Sequence, residues 1–565
     1  MKPFLLSLAL VAFTGTATAT NYYVSDCGSG ATAQCVRGND LNAGTSPASP
    51  WLTCAKVALK FSALAAGDNV LFARGSAQDA CQLNYLWNAN SRKATPITVG
   101  AYDAPWATTV FANPILSGTA GNYTFSLRNL GNAEHDEGYV VQDLHFKGLG
   151  ATSSMFAILL GNDVKHVTLQ RLEIEEFRGG IQCSGGTNQP LNLGSDGLSD
   201  HITIRNSSIH NNRGMGLLID CSDTLIENNK LDSNGVGMLD HHIYIDDAEL
   251  NNVALTTSQI VIRGNTLTNN SPYSSGTAST PTPGGCRSVA IVVNGLKKGV
   301  FIEYNTVSEP TVPLNGPCWG ISVDSGGYTG IYATEGFNNV VIRGNSLINF
   351  DMGIGVDLCE RCTVENNYVY SERSGATGIV APSKYFSAAT AGNTLNNNLT
   401  VRNNSIYLKN PTYASVGIRL SRDGASHTVV SNLIYFGSGT TTASACFNTS
   451  GLAPSAFAAF DYNLCRFSAN PGAWDSARTT LSAQQAVKLD LHSMTVDPSL
   501  IPPTAPAFAL TVPAGSAVVK AGHPTLSSKK AFGGVERGTA VPSIGAYEVG
   551  ANSVVPSSPT SIGMQ

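Results

Sequence analysis

The stretch DHHIYIDD, Asp240 to Asp247, sets His242, Tyr244 and Asp246 two residues apart. In an extended strand that spacing carries all three side chains to one face, while Ile243 and Ile245 take the other. An imidazole, a phenol and a carboxylate on one face form an acid–base set. Such a set can remove a carbon-bound proton and return one to a leaving oxygen. His241 has the opposite parity and is expected to point inward, or into a turn, with a structural role.

Five other short segments align with this one: GIQCSG, LLIDCSD, IVVNGLK, ISVDSGG and IGVDLCE. Their aliphatics Ile181, Ile219, Ile245, Val293, Val323 and Val356 fall in one inward column. The next residues, Gln182, Asp220, Asp246, Asn294, Asp324 and Asp357, fall in an outward one. This alignment sets Cys183 directly against Cys221. Stacked strands lie roughly 4.8 Å apart, so carboxylates in such a column repel one another. A cation, a cationic partner or raised pKa values would relieve the repulsion. Asp220, Asp246 and Asp324 are candidate ligands for calcium, which takes carboxylate oxygens. His242, Tyr244, Asp246 and Asp324 are the candidate catalytic residues. Asn294 and Asp357 are candidate substrate contacts, joined by Arg213 and Lys298 from neighbouring turns. As aligned, the column itself holds no Lys or Arg.

A repeat must position these residues. One pattern recurs as ITIRNSSI, TLIENNKL, IVIRGNTL, VFIEYNTV, VVIRGNSL, CTVENNYV and LTVRNNSI. Its anchors are Ile204, Ile226, Ile262, Ile302, Ile342, Val364 and Val401, spaced by 22, 36, 40, 40, 22 and 37 residues. A unit of that length cannot bury its own apolar face, but stacked units can. The expected fold is all-β: a single-stranded right-handed parallel β-helix, a solenoid whose aliphatics stack from coil to coil. Asn229, Asn265, Asn305, Asn345, Asn367 and Asn404 follow their anchors by three residues and are expected to form a turn ladder. Asn tolerates left-handed backbone and hydrogen-bonds its neighbours.

These repeats resemble those of secreted right-handed β-helix proteins of the pectate-lyase-like superfamily. The resemblance runs over roughly residues 21 to 550. The block GTSPASPWLTCAKVALKFSALAAGDNVLFARG is similar to the N-terminal cap of such proteins, with Cys54, Val57, Phe61 and Leu64 as the apolar stripe of a capping helix. PSIGAYEVG resembles their usual end. The resemblance implies the fold and leaves the activity open among lyases, hydrolases, epimerases and binding proteins.

The remaining boundaries come from composition. Residues 1–19 have a positive start, an apolar run and a small-residue cleavage site, as in a secretory signal peptide. A periplasmic or extracellular location is therefore expected. Residues 20–100 form the N-terminal strand and cap, 101–437 the β-helix, 438–550 the last coils and C-terminal cap, and 551–565 a disordered tail. Loop insertions near residues 270–288 and 308–320 are expected to wall the polar column into a cleft. Only 13% of the 565 residues are charged and the net charge is −5. That balance argues against a nucleic-acid partner or an anionic membrane, and a monomer is expected. Twelve cysteines suit an oxidising compartment. Neighbours in sequence should pair: Cys27–Cys35, Cys54–Cys81, Cys183–Cys221, Cys286–Cys318 and Cys446–Cys465. Cys359 and Cys362 form a local disulfide or two thiols.

The functional expectation is a carbohydrate-active enzyme with a polysaccharide substrate. β-Elimination or C5 epimerisation of a uronic-acid polymer comes first, with His242 as base and Tyr244 as acid. The alternatives are an inverting glycoside hydrolase using Asp246 and Asp324, and a glycan-binding β-helix without catalysis.

Overall fold

The structure, a computed structural model, describes residues 19–129, 136–161, 163–183, 199–246, 259–272, 286, 288–310, 318–324, 336–383, 396–409, 413–421, 424–438, 443–469, 471–504, 509–537 and 541–549. The expected signal segment and the tail lie outside these residues. So do most of the insertions near residues 270–288 and 308–320.

The chain winds through three long parallel sheets of 14, 13 and 13 strands. One coil illustrates the unit: Asp200–Arg205 in the first sheet, Ser208–His210 in the second and Leu217–Ile219 in the third. Each strand pairs with its equivalent one coil away, so the architecture is a parallel β-helix. The anchors stack in register, Ile204 on Ile226, Ile262, Ile302, Ile342, Val364 and Val401, and all are buried in one continuous core. Burying such a column is what makes the repeat fold, because no single coil has an inside of its own.

The asparagine ladder forms at the corner between the first and second sheets. Asn305 Oδ1 accepts from the Asn265 N–H at 3.0 Å, and Asn305 Nδ2 donates to the Ile262 carbonyl at 2.9 Å and to Asn345 Oδ1 at 3.0 Å. The pattern repeats through Asn229, Asn345, Asn367 and Asn404, and continues through Asn432 and Asn463. One detail differs from expectation. The left-handed backbone belongs to the preceding residue, for example Asn228, Tyr304 and Asn403. The ladder asparagines serve through their amides alone. Asn345→Ala should therefore cost about 2–3 kcal/mol, because it orphans the buried Asn305 N–H and the Ile302 carbonyl. Amide exchange should accelerate in the coils on either side of residue 345 and stay unchanged in distant ones.

Both ends of the stack are covered. Helix Cys54–Phe61 has Thr53 as its N-cap, and it buries Cys54, Val57 and Phe61. Asn88 Nδ2 donates to the carbonyls of Phe61 and Leu64 at 2.6 and 3.0 Å, satisfying the end of that turn. At the other end, helix Leu481–Ala486 and Leu489 pack on the last coil of the core, while Leu510, Val518, Phe532 and Tyr547 cover the outer face of the second sheet at Tyr368, Tyr370 and Tyr407. All twelve cysteines form six disulfides, in the five expected pairings plus Cys359–Cys362. This usage fits an extracellular protein. Among the described residues no helix is long and apolar enough to cross a membrane.

Candidate functional site

The third sheet carries the outward polar column. Backbone bonds fix its register: the N–H groups of Asp220, Asp246, Asn294, Asp324 and Asp357 donate to the carbonyls of Cys183, Ile219, Ile245, Val293 and Val323. Each of these residues therefore sits one coil beyond the last. Asp246 is half-buried, whereas Asp220, Asn294, Asp324 and Asp357 are buried. The inward column Ile219, Ile245, Val293, Val323 and Val356 is as expected. Its first member is not. Ile181 pairs with Leu217, and Cys183 pairs with Ile219. The Cys183–Cys221 bridge forms diagonally, with Cα atoms 5.9 Å apart.

At the centre of the face, Tyr244 Oη donates to Asp246 Oδ1 at 3.3 Å and accepts from Asn294 Nδ2 at 3.0 Å. Two coils from Asp246, the fully buried Asp324 accepts at Oδ2 from Ser322 Oγ at 2.5 Å and from Ser383 Oγ at 3.1 Å. Tyr244, Asp246 and Asn294 thus form one hydrogen-bonded group, and Ser322, Asp324 and Ser383 a second one further along the same face. Ser383 escaped the sequence reading because it follows its strand across the Ala381–Pro382 peptide, outside any repeat.

The two histidines exchange places relative to expectation. The strand proper is only Ile243–Ile245, so alternation does not extend back to His242. His242 belongs instead to a column that precedes each aliphatic: Gly180, Gly216, His242, Ala290, Gly320, Gly353, Gly378, Gly417. Those positions are small because they face the inner corner. A Cβ on Gly353 would lie 2.6 Å from the Gly378 carbonyl oxygen. The His242 side chain runs into this corner, where its ring contacts Thr268 O through Nε2 at 2.9 Å and Asn234 Nδ2 through Nδ1 at 3.2 Å. The carbonyl requires a proton on Nε2, so Nδ1 accepts and the ring is neutral. Burial pushes its pKa down to about 4. His242 is thus an internal group and does not reach the face. His241 does: its ring lies 5.3 Å from that of Tyr244, with Nδ1 directed at Val289 O, 2.9 Å, and Ser288 Oγ, 2.7 Å.

The His242 environment makes a stability prediction. Its folded pKa lies below the unfolded value of 6.5, so the unfolded chain takes up a proton first as pH falls. The contribution is present above pH 6.5 and is lost progressively down to about pH 4, a change of about 3 kcal/mol. Denaturant titrations at pH 7 and pH 4.5 should show this loss, and His242→Ala should flatten it.

The other candidates scatter. Arg213 turns away to donate to the Ala151 carbonyl at 2.6 Å. Lys298 is exposed on a separate three-stranded sheet with Gly336–Asn338 and Cys359–Glu360, beyond the column. Asp220, Asp246 and Asp324 do not fit one calcium ion. Calcium ligands lie 2.3–2.6 Å from the ion, so their oxygens must gather within roughly 5 Å of one another. Asp246 and Asp324 are two coil steps apart, roughly 9.6 Å along the stack. Among the described residues the one cluster tight enough is Cys286, Glu309 and Cys318, and its sulfurs are tied up in a disulfide.

The column also holds a cation that the alignment did not reach. Arg128 pairs with Gly161, and Leu160 with Cys183. Arg128 therefore stands in the same outward column as Asp220 and Asp246, four coils before Asp246. The repeat signature fades before residue 165, which hid it.

Residues 157–326 match the family described as right handed beta helix region. With its three long parallel sheets, the chain is a parallel β-helix protein, and residues 157–326 are similar to the right-handed form. A lacto-N-biosidase of Bifidobacterium longum subsp. longum is 33% identical over 162 residues, which make up 28% of this chain and 8% of that protein. The match thus spans less than a tenth of that relative's length. Among solved structures, the GH136 lacto-N-biosidase from Eubacterium ramulus has a TM-score of 0.40 at 13% identity, over 78% of this chain and 66% of that one. The mannuronan C-5 epimerase AlgE4 A-module of Azotobacter vinelandii has a TM-score of 0.37 at 13% identity, over 75% and 94%.

Proposed function

We propose that the chain is an exported carbohydrate-active enzyme that hydrolyses a glycan, with Asp246 and Asp324 as its carboxyl pair. The observation that carries this reading is the spacing of these two acids on one face of the third sheet. Two coil steps, roughly 9.6 Å along the stack, lie at the upper edge of the separation of about 6.5–9.5 Å that leaves room for a water in an inverting glycosidase. Asp246, whose Oδ1 accepts the Tyr244 hydroxyl, is the base that draws a proton from the attacking water. Asp324 protonates the leaving oxygen. Tyr244 and Asn294 hold Asp246 in position, as Ser322 and Ser383 hold Asp324.

Elimination ranks lower than it does on sequence alone, because its base, His242, sits inside the coil with both ring nitrogens engaged. The segment shared with a lacto-N-biosidase supports hydrolysis as the chemistry. The test is a proton NMR time course of products from a panel of oligosaccharides and polysaccharides. Inversion at the new reducing end is expected. Retention would move the second carboxyl to Asp220, one coil from Asp246. An unsaturated product would overturn hydrolysis altogether.

A further inference from the structure

The geometry points to a second glycan-binding site on the same face, at its N-terminal end, which takes a carboxylate-bearing saccharide through Tyr85, Tyr123, Arg128 and Arg178. The inference rests on the third sheet being the glycan face, as proposed above.

Four observations carry it. Tyr85 is 52% exposed and sits in left-handed backbone, φ 53°, at a register break in the strand Leu83–Leu86. Most other left-handed residues of this chain sit at coil corners, whereas Tyr85 lies inside a strand. The break turns the Tyr85 ring out onto the face, where it is half exposed. The break is held in place by Ser126 Oγ, which accepts from the Tyr85 N–H at 2.5 Å. Second, the Arg128 guanidinium lies over the Tyr85 ring, 5.4 Å from its centroid. Third, Tyr123 reaches across a neighbouring strand to Gln182, Oη to Oε1 at 3.4 Å, and feels both Tyr85 and Arg178. Fourth, Arg128 and Arg178 meet no carboxylate among the described residues, and the buried Arg128 Nε has no hydrogen-bond partner there. On the first sheet, by contrast, Arg263, Arg343 and Arg402 each pair with a glutamate.

Two cations without acids, beside two tyrosines, match an anionic sugar: a ring face packs on the aromatic and the guanidinium forks a carboxylate. The register places Arg128 in the column of Asp246, four coil steps or roughly 19 Å away along the stack. Half-buried Leu159 and Leu218 lie between, on the parallel outward column that leads to Tyr244. A glycan laid along the stack would meet both ends, so this site gives the enzyme a preference for long acidic chains.

The test uses the full chain as Asp246→Asn, which removes turnover, in native gels containing polygalacturonate, hyaluronan or neutral galactan. Retardation by at least one acidic polymer and none by galactan is expected. Tyr85→Ala and Arg128→Gln should each weaken it at least tenfold, and Tyr85→Phe should preserve it, which controls for folding. No retardation by either acidic polymer, retardation by galactan alone, or variants that bind like the parent would each overturn the site. If the wild-type chain cleaves nothing yet binding still depends on Tyr85 and Arg128, the hydrolase reading falls and this site stands. If Asp246-dependent cleavage holds without such binding, only this site falls.

Discussion

Asp246→Asn should lower kcat on the cleaved glycan by about 10³-fold while leaving KM within a few-fold. A positioned acid or base contributes roughly 10²–10⁴ to rate, and the amide cannot take the proton of the attacking water. The substitution is nearly isosteric. The new amide would still offer its Oδ1 to the Tyr244 hydroxyl, and the ladder bond from residue 246 N–H to Ile219 O is backbone. Shape and ground-state contacts survive, so the loss belongs to the transition state. Asp324→Asn should behave alike, because its hydroxyl donors Ser322 and Ser383 also keep an acceptor. Asp357→Asn serves as the neighbouring control, with an effect below tenfold. Its carboxylate accepts from the Leu358 N–H and helps to shape a local turn. Steady-state kinetics beside circular dichroism decides the matter. If Asp246→Asn keeps near-full activity with an intact fold, the assignment is wrong.

What the sequence revealed, and what it hid, follows one physical rule. Inward positions of a parallel stack obey a strict restriction, since any polar or oversized side chain there disrupts two coils at once. The anchors Ile226, Ile262 and Ile302 could therefore be read without error, and so could the ladder of asparagines beside them, though not its backbone conformation. The outward acids were legible because each follows an inward aliphatic directly. His242 was misplaced because strand alternation was carried one residue past a three-residue strand. The signal that corrects it is in the sequence: Gly216, Ala290, Gly320 and Gly353 occupy the same register, and small residues in a column mark an inner corner. Arg128 was hidden differently. Its coil has no asparagine anchor, so no repeat pointed to its register, and only the pairing of Leu160 with Cys183 links it to Asp220. The polar face thus has a cation at one end and acids through its middle, a polarity that composition averages away.

Arg537→Met should detach the C-terminal segment from the stack at a cost of about 3–5 kcal/mol, the usual penalty for breaking a buried ion pair by removing one partner. The Arg537 guanidinium is almost wholly buried. Nη1 donates to Glu548 Oε2 at 2.9 Å, Nη2 donates to Asn366 Oδ1 at 2.9 Å and to the Gly545 carbonyl at 2.7 Å, and Nε donates to Lys530 O at 3.1 Å. Burial lowers its pKa, and Glu548 opposes that shift. A methionine would fill the volume but leave Glu548 without its cation and the Lys530 carbonyl without its side-chain donor. Lysine should not rescue the variant, because a single ammonium cannot fan out to Glu548, Asn366 and Lys530 together. Solenoid coils are coupled mainly to their neighbours, so the loss should not spread to the whole chain. Hydrogen exchange should rise sharply over residues 509–549 and at Tyr368 and Tyr407, the tyrosines that this segment covers. Exchange around Tyr244 should stay as in the parent, and cleavage through Asp246 should persist. An Arg537→Met protein in which protection falls evenly along the stack would mean that the segment is part of one cooperative unit with the coils, and that the site depends on it.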